Sequence, residues 1–275
     1  MADPINLSSS VRTNLLTLQR TSGFIADTQT RLSTGLRVNT ALDDAAAFFT
    51  AKGLSDTATD FDALKSNIDL AISTIQTAID GIDAISELVN QAKGLASNAK
   101  ATGNTSERST LAVQFNELLS QINTIANDSS FNGTNLLQAT PDNLAVEFNT
   151  DNTSNLTITG LDSTTATSGI NIAVAANNFG LNANIDTALT AISSALTTLR
   201  SNASTMGSRN TILSTRLDFT ENLVNTLEGG TGKLTLADLN EESANLLALQ
   251  TRQQLGINSL ALAAQSERSI LALFG

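Results

Sequence analysis

The chain contains no cysteine, histidine, tryptophan or tyrosine, and only two prolines in 275 residues. Without cysteine it can form neither a disulfide nor a thiolate metal site. Without histidine it lacks the commonest metal ligand and the commonest general base. Basic residues are also scarce, with 15 Lys and Arg against 26 Asp and Glu, a net charge of −11, and none between Arg108 and Arg200. Nucleic-acid binding needs clustered Lys and Arg, so that class is excluded. No run approaches the roughly 18 apolar residues of a membrane-spanning helix. The opening Met1-Ala-Asp-Pro-Ile-Asn-Leu-Ser-Ser-Ser10 has neither the basic nor the apolar region of a signal peptide. The expectation is a soluble chain without membrane insertion, cytoplasmic or exported by a route that uses no cleaved signal. Its stability has to come from helix length and helix packing.

Long proline-free apolar stripes are what the chain does have. Alternating steps of four and three from Ile185 reach Leu189, Ile192, Leu196, Leu199, Ala203, Met206, Asn210, Leu213, Leu217, Thr220, Val224 and Leu227, and eleven of these thirteen positions are apolar. Such a repeat predicts a helix that lies along other helices. At about 1.5 Å per residue it is a rod of roughly 65 Å, which cannot bury its own stripe and needs partners.

Two segments can supply them. Residues 54–99 keep the same step through Ile68, Ile72, Ile75, Ile79, Ile82 and Val89, with Ser86 as the polar intrusion. After Gly103-Asn104, residues 107–127 carry Leu111, Phe115, Leu118, Ile122 and Ile125. Three packed helices would make a shared rod. The ends of the chain read as two weaker helices. In residues 5–33, Val11, Leu18, Ile25 and Leu32 recur every seven residues beside Leu15 and Leu36, with Ser22 and Gln29 diluting the second stripe. Residues 236–274 carry Leu239, Leu246, Leu249, Leu255, Leu260, Leu262, Ile270, Leu271 and Phe274. Residues 34–53 read as an irregular connector, with a helix start favoured at Asp43–Asp44. The Asn-, Thr- and Gly-rich centre, about 139–180, holds two alternating segments, Leu144–Phe148 and Leu156–Thr159, and predicts a β-hairpin. The fold class is mainly α, a long antiparallel helical bundle or coiled coil with a small β-hairpin.

No catalytic constellation emerges. Gly229-Gly-Thr-Gly-Lys233 is not a phosphate loop, because Leu227 and Leu234 stand where that pattern needs glycine and Ser or Thr. It reads as a glycine-rich linker. Adjacent acids, Asp43–Asp44 and Glu241–Glu242, point to different helix faces and serve as helix-start charge rather than an acid/base couple. No serine is fixed beside Lys52, Lys65, Lys93 or Lys100. No enzyme activity, metal or cofactor is expected.

Both ends closely resemble bacterial flagellin. The resemblance rests on Thr28-Gln-Thr-Arg-Leu-Ser-Thr-Gly-Leu-Arg-Val-Asn-Thr-Ala-Leu-Asp-Asp-Ala-Ala46, on Phe131-Asn-Gly-Thr-Asn-Leu-Leu137, and on Leu249-Gln-Thr-Arg-Gln-Gln-Leu-Gly256 followed by Ser259–Gln265 and Ile270–Phe274. It covers roughly residues 1–138 and 185–275. Ala47-Phe48-Phe49 departs from the family's glycine and small aliphatics, as does the terminal Phe274-Gly275.

The resemblance implies a structural subunit that self-assembles into the extracellular flagellar filament for motility, exported unfolded by the flagellar type III apparatus. It implies an inner coiled-coil domain of residues 1–33 and 236–275, a spoke of 34–53 and a helical rod of 54–235, with no separate outer domains and a thin filament. Filament-core contacts are expected from Val11, Leu15, Leu18, Ile25, Leu32, Leu246, Leu249, Leu260, Leu271 and Phe274. Spoke and inter-subunit contacts are expected from Arg31, Gly35, Leu36, Arg37, Asn39, Asp43 and Asp44. The implied partners are other copies of the chain, the export apparatus and its chaperone, the filament cap and the hook-junction proteins. In flagellins sensed by Toll-like receptor 5 an arginine precedes a Leu-Ala pair on the second helix. Leu95-Ala96 places Gln91 there, beside Asn90 and Asn98, and glutamine cannot make arginine's forked, charged contact. Weak receptor activation is expected. A hook–filament junction protein shares the terminal helices but occurs in few copies. A coiled-coil signalling hairpin would need a helical tip where this chain has its Asn/Thr/Gly-rich centre.

Overall fold

The computed structural model describes residues 9–274, and side chains as far as Gln265, with Ser266, Arg268 and Ser269 beyond. Five helices carry the chain: α1 (Ser9–Thr34), α2 (Ala45–Ala101), α3 (Thr105–Asp128), α4 (Asn182–Thr235) and α5 (Leu239–Phe274). Two small antiparallel hairpins lie between α3 and α4, β1 (Ser130–Phe131) with β2 (Thr134–Asn135) and β3 (Asn143–Glu147) with β4 (Asn155–Thr159). The residues fall into two compact units, one of Ala58–Asn225 and one of the segments up to Thr57 and from Thr226.

In the Ala58–Asn225 unit the α4 stripe behaves as its spacing predicts. Ile185, Ile192, Leu199, Met206 and Leu213 are completely buried, and Leu189, Ala203 and Leu217 pack at the margin. Its polar member Thr220 is buried because its hydroxyl donates to Arg216 O of its own helix at 2.9 Å. On α2 the buried line is Ile68, Ala71, Ile75, Ala78, Ile82, Ile85 and Val89, and Ile72 and Ile79 are half-buried beside it. Ser86 resolves its intrusion by donating to Ile82 O at 2.8 Å. On α3 the buried face is Ala112, Phe115, Leu119, Ile122 and Ala126, so the predicted Leu111, Leu118 and Ile125 sit one residue off its centre. Alanines let the backbones approach, and the larger neighbours fill the flanks.

β3 and β4 pair Leu144 with Ile158 and Val146 with Leu156, and these four side chains belong to the core. Phe148 continues the apolar face, with the Arg216 guanidinium 4.9 Å from its ring centroid. The predicted hairpin region ran to about 180, whereas the strands end at Thr159. Residues 160–181 form an irregular segment that inserts Ile170, Ile172, Ala175 and Phe179 into the core. Its backbone is held by side-chain acceptors: Thr165 N–H donates to Asn123 Oδ1 and Ala175 N–H to Asn116 Oδ1, each at 2.8 Å. Asn177, Asn178 and Phe179 are consecutively left-handed, at φ 49°, 50° and 60°. Asparagine tolerates that region and phenylalanine does not. Burial and an edge-to-face contact with Phe115 at 5.2 Å hold Phe179 there.

Three boundaries differ from expectation. α2 starts at Ala45, so half of the predicted connector is helical. Asp44 caps it, accepting from Ala47 N–H at 3.0 Å. Gly229-Gly-Thr-Gly-Lys233 is the last part of α4 and not a linker. Tertiary packing overrides glycine's poor helix propensity there: Gly230 faces Leu54, and Thr231 Oγ1 lies 3.4 Å from Ala51 O. The predicted helix over 5–33 is α1 from Ser9 onward, and residues 5–8 lie outside the described residues.

Candidate functional site

In the unit that contains both ends, α1 packs against α5. On α1 the covered positions are Val11, Thr21 and Thr28, fully buried, and Leu18, Ile25 and Leu32, half-buried. On α5 the same four-and-three step runs through Glu242, Leu246, Leu249, Gln253, Gly256 and Leu260, of which only Glu242 is fully buried. Gly256 accommodates Leu18, whose Cδ1 lies 3.2 Å from where a Cβ would stand.

Leu15 is not in this seam. It is 39% exposed, because the second stripe runs through Thr21 and Thr28 rather than through positions 15, 22 and 29. Thr21 can be buried since its hydroxyl bonds Thr17 O at 2.9 Å. The seam is narrow and one-third polar, and Leu15, Leu16 and Phe24 on α1 and Leu247, Leu255 and Leu262 on α5 are left exposed. The side chains of Leu271 and Phe274 lie outside the described residues.

The expected spoke residues form a clasp between two short segments. Arg31 donates to Glu242 Oε1 at 3.1 Å, joining α1 to the first turn of α5. Leu36 bridges Leu236. Arg37 N–H donates to Thr235 O at 2.7 Å, and Ala237 N–H to Gly35 O at 2.9 Å. The Arg37 guanidinium caps Leu234 O at 3.0 Å, one of the carbonyls that a helix end leaves without a partner. Gly35 sits at φ 71°, a left-handed helix end that favours glycine. Asn39 and Thr40 donate their N–H groups to Asp43 Oδ2 at 3.0 and 2.8 Å. These bonds, Thr40's first, hold the Asp43 carboxyl below its usual range. Leu42, beside it, is 97% exposed. Asp43 and Asp44 thus divide their work between a turn and a helix cap.

In the Ala58–Asn225 unit, Asn90, Gln91 and Asn98 are exposed and Leu95 is half-buried. Gln91, Leu95 and Asn98 line a shallow groove of about 630 Å³ with Gln114, Glu117 and Leu118 of α3. Among the described residues, no group of three or more Asp and Glu is placed to hold a metal ion, and no helix is long and apolar enough to cross a membrane.

Against known proteins, the family described as the bacterial flagellin N-terminal helical region matches residues 5–142, and the bacterial flagellin C-terminal helical region matches 189–274. The chain is similar to flagellin FljM of Caulobacter vibrioides, 35% identical over 98% of both chains, and to FljO of the same species, 34% identical over 98% of both. A flagellin of Brucella melitensis is 31% identical over 97% of both. The chain belongs to the bacterial flagellin family.

This flagellin is a structural protein and not an enzyme, a subunit that self-assembles into the extracellular flagellar filament. A solved Bacillus cereus flagellin aligns with 56% of this chain and 88% of its own, with a TM-score of 0.49 and 21% identity.

Sequence reading missed three polar anchors in this flagellin. Asp238 caps α5, accepting from Asn240 and Glu241 N–H at 2.9 and 3.3 Å. Its Asp-x-x-Glu spacing is a legible capping signal. Glu242 does more than supply helix-start charge. Its burial against Arg31 needs a partner 211 residues away, which no local pattern announces. Asn135 is buried and fully used, donating to Ala126 and Asn127 O and accepting from Leu137 and Gln138 N–H at 2.7–3.0 Å.

Proposed function

We propose that the α1–α5 pair is the surface through which this flagellin builds the centre of its filament, and that its folding is completed only there. The observation that carries this reading is the exposed Leu side chains on both helices, with Phe24 on α1, beside a partly polar seam. Pairing within one chain leaves that apolar area in water, and neighbouring subunits remove it. Val11, Leu18, Ile25, Leu32, Leu246, Leu249 and Leu260 hold the pair together, and Leu15 faces the neighbours. Residues 1–33 and 236–275 act as the inner domain, 34–53 as the spoke and 54–235 as the rod.

Export of the unfolded chain by the flagellar type III apparatus, with a chaperone, and contacts with the filament cap and hook-junction proteins, complete the cycle. Family membership and a chain free of cysteine support it, because no disulfide would have to be broken for passage. The test is deletion of residues 1–30 or 245–275. The expected product is soluble and keeps the helical signal of residues 58–225, but gives no filaments by electron microscopy. Filaments from either deletion would overturn the proposal. The exposed Asn90, Gln91 and Asn98 beside Leu95 mark the receptor-facing region, and weak Toll-like receptor 5 activation is expected in a reporter-cell assay.

A further inference from the structure

Asn132-Gly133 is the one Asn-Gly dipeptide in the chain. It forms the two-residue turn between β1 and β2, with Asn132 at φ 50° and Gly133 at φ 81°, both exposed. An Asn-Gly turn with positive φ at both positions suits a tight hairpin. Glycine has no side chain to shield its amide nitrogen, and nothing lies within 4 Å of where a Gly133 Cβ would be. The turn borders an open groove of about 210 Å³.

We propose that Asn132 is a spontaneous modification site at which the mature protein converts to aspartate and isoaspartate. The Gly133 backbone nitrogen attacks Cγ of Asn132, forming a C–N bond as its proton passes to water. The bond from Cγ to the side-chain nitrogen breaks, and that nitrogen leaves as ammonia. Water then opens the five-membered imide at either carbonyl, giving aspartate or isoaspartate. No oxidant or cofactor is required.

Opening of the hairpin tip gates the step. The paired strands are two residues each, Phe131 with Thr134 and Ser130 with Asn135, and so short a ladder opens at low free energy. Below the tip, Asn135 is clamped to α3 by its two bonds to Ala126 and Asn127 O and to the next segment by a mutual pair with Asp142. The tip can therefore open while its base stays in place. Isoaspartate lengthens the backbone by one methylene and prevents the tip from closing again. In a filament outside the cell the product is beyond cytoplasmic repair and accumulates with age.

Asn258-Ser259 on α5 is the internal reference. It is also exposed and followed by a small residue, but it is helical. The full-length protein is held at mildly alkaline pH, sampled over time, and mapped by peptide mass spectrometry and isoaspartyl methyltransferase labelling. Asn132 is expected to lose its amide at least about tenfold faster than Asn258, because Gly133 shields its nitrogen less than Ser259 does and the helical site must also open first. In urea the Asn132 rate is expected to rise above the native one. Asn132→Gln should abolish labelling of that peptide, and the wild-type time course decides the matter alone if this variant does not fold. An intact Asn132 when other asparagines have reacted would overturn the assignment. A native rate equal to that in urea would overturn the gating.

Discussion

The seams of α4 and α5 follow the same alternating step and carry different side chains. Along α4, Ile185, Ile192, Leu199, Met206 and Leu213 are fully enclosed by the rest of the Ala58–Asn225 unit. Along α5, the equivalent run of Glu242, Leu246, Leu249, Gln253, Gly256 and Leu260 contains one fully buried residue, a glutamate that needs Arg31 to be there. A wide aliphatic face can hold a unit together by area alone, whereas a narrow mixed one cannot. In a self-assembling protein the difference has a use. The helices that finish their burial inside the chain hold the Ala58–Asn225 unit together, and the others keep exposed apolar surface, proposed above to serve the polymer.

The widest break in this comparison comes from truncating each seam in turn. Leu199→Ala should cost about 3–5 kcal/mol, as for a wholly buried leucine, seen as a lower urea midpoint for the Ala58–Asn225 unit. Leu18→Ala, at a half-exposed site, should cost about 1 kcal/mol or less and instead raise the concentration needed for polymerisation. Equal losses at the two positions would mean that the seams are equivalent.

Asn210 sharpens the contrast from the other side. It occupies the α4 seam between Met206 and Leu213, and its buried Oδ1 has no hydrogen-bond partner among the described residues. Asn210→Leu is expected to raise the thermal midpoint, by the equivalent of about 1–2 kcal/mol. An unchanged midpoint would point to a water satisfying that oxygen. A polar residue in such a seam can also specify register.

The smallest effect concerns the clasp. Asp43 has its folded pKa lowered by the N–H groups of Thr40 and Asn39 and by the Thr40 hydroxyl. A lowered carboxyl pKa stabilises the turn above the ordinary carboxylate range, and that contribution is lost as pH falls through the folded value. Protection of the Asn39 and Thr40 amides against exchange, relative to their intrinsic rates at each pH, should therefore be high near neutrality and fall in acid. Asp43→Asn should flatten the dependence. An unchanged profile in that variant would assign the protection to the neighbouring backbone instead.

What the sequence by itself determined was the list of helices, the hairpin's two strands and the α4 seam. Each depends on periodicity within one segment, and apolar spacing reports that directly. It also carried the Asn-Gly turn and the Asp238 cap, whose signals lie within a few residues. Tertiary structure decided what depends on distant partners. It left Phe115 and Ile122 at the centre of the α3 seam but replaced Leu111, Leu118 and Ile125 by Ala112, Leu119 and Ala126, where alanines permit close approach. It kept Gly229–Gly232 helical against Leu54 and put the left-handed Phe179 into the core beside Phe115. It moved the α1 seam from Leu15 to Thr21 and Thr28, because a threonine whose hydroxyl is satisfied by its own helix can be buried at little cost. That displacement, invisible to hydropathy, leaves Leu15 exposed on the outer side of α1, the surface proposed above to meet neighbouring subunits.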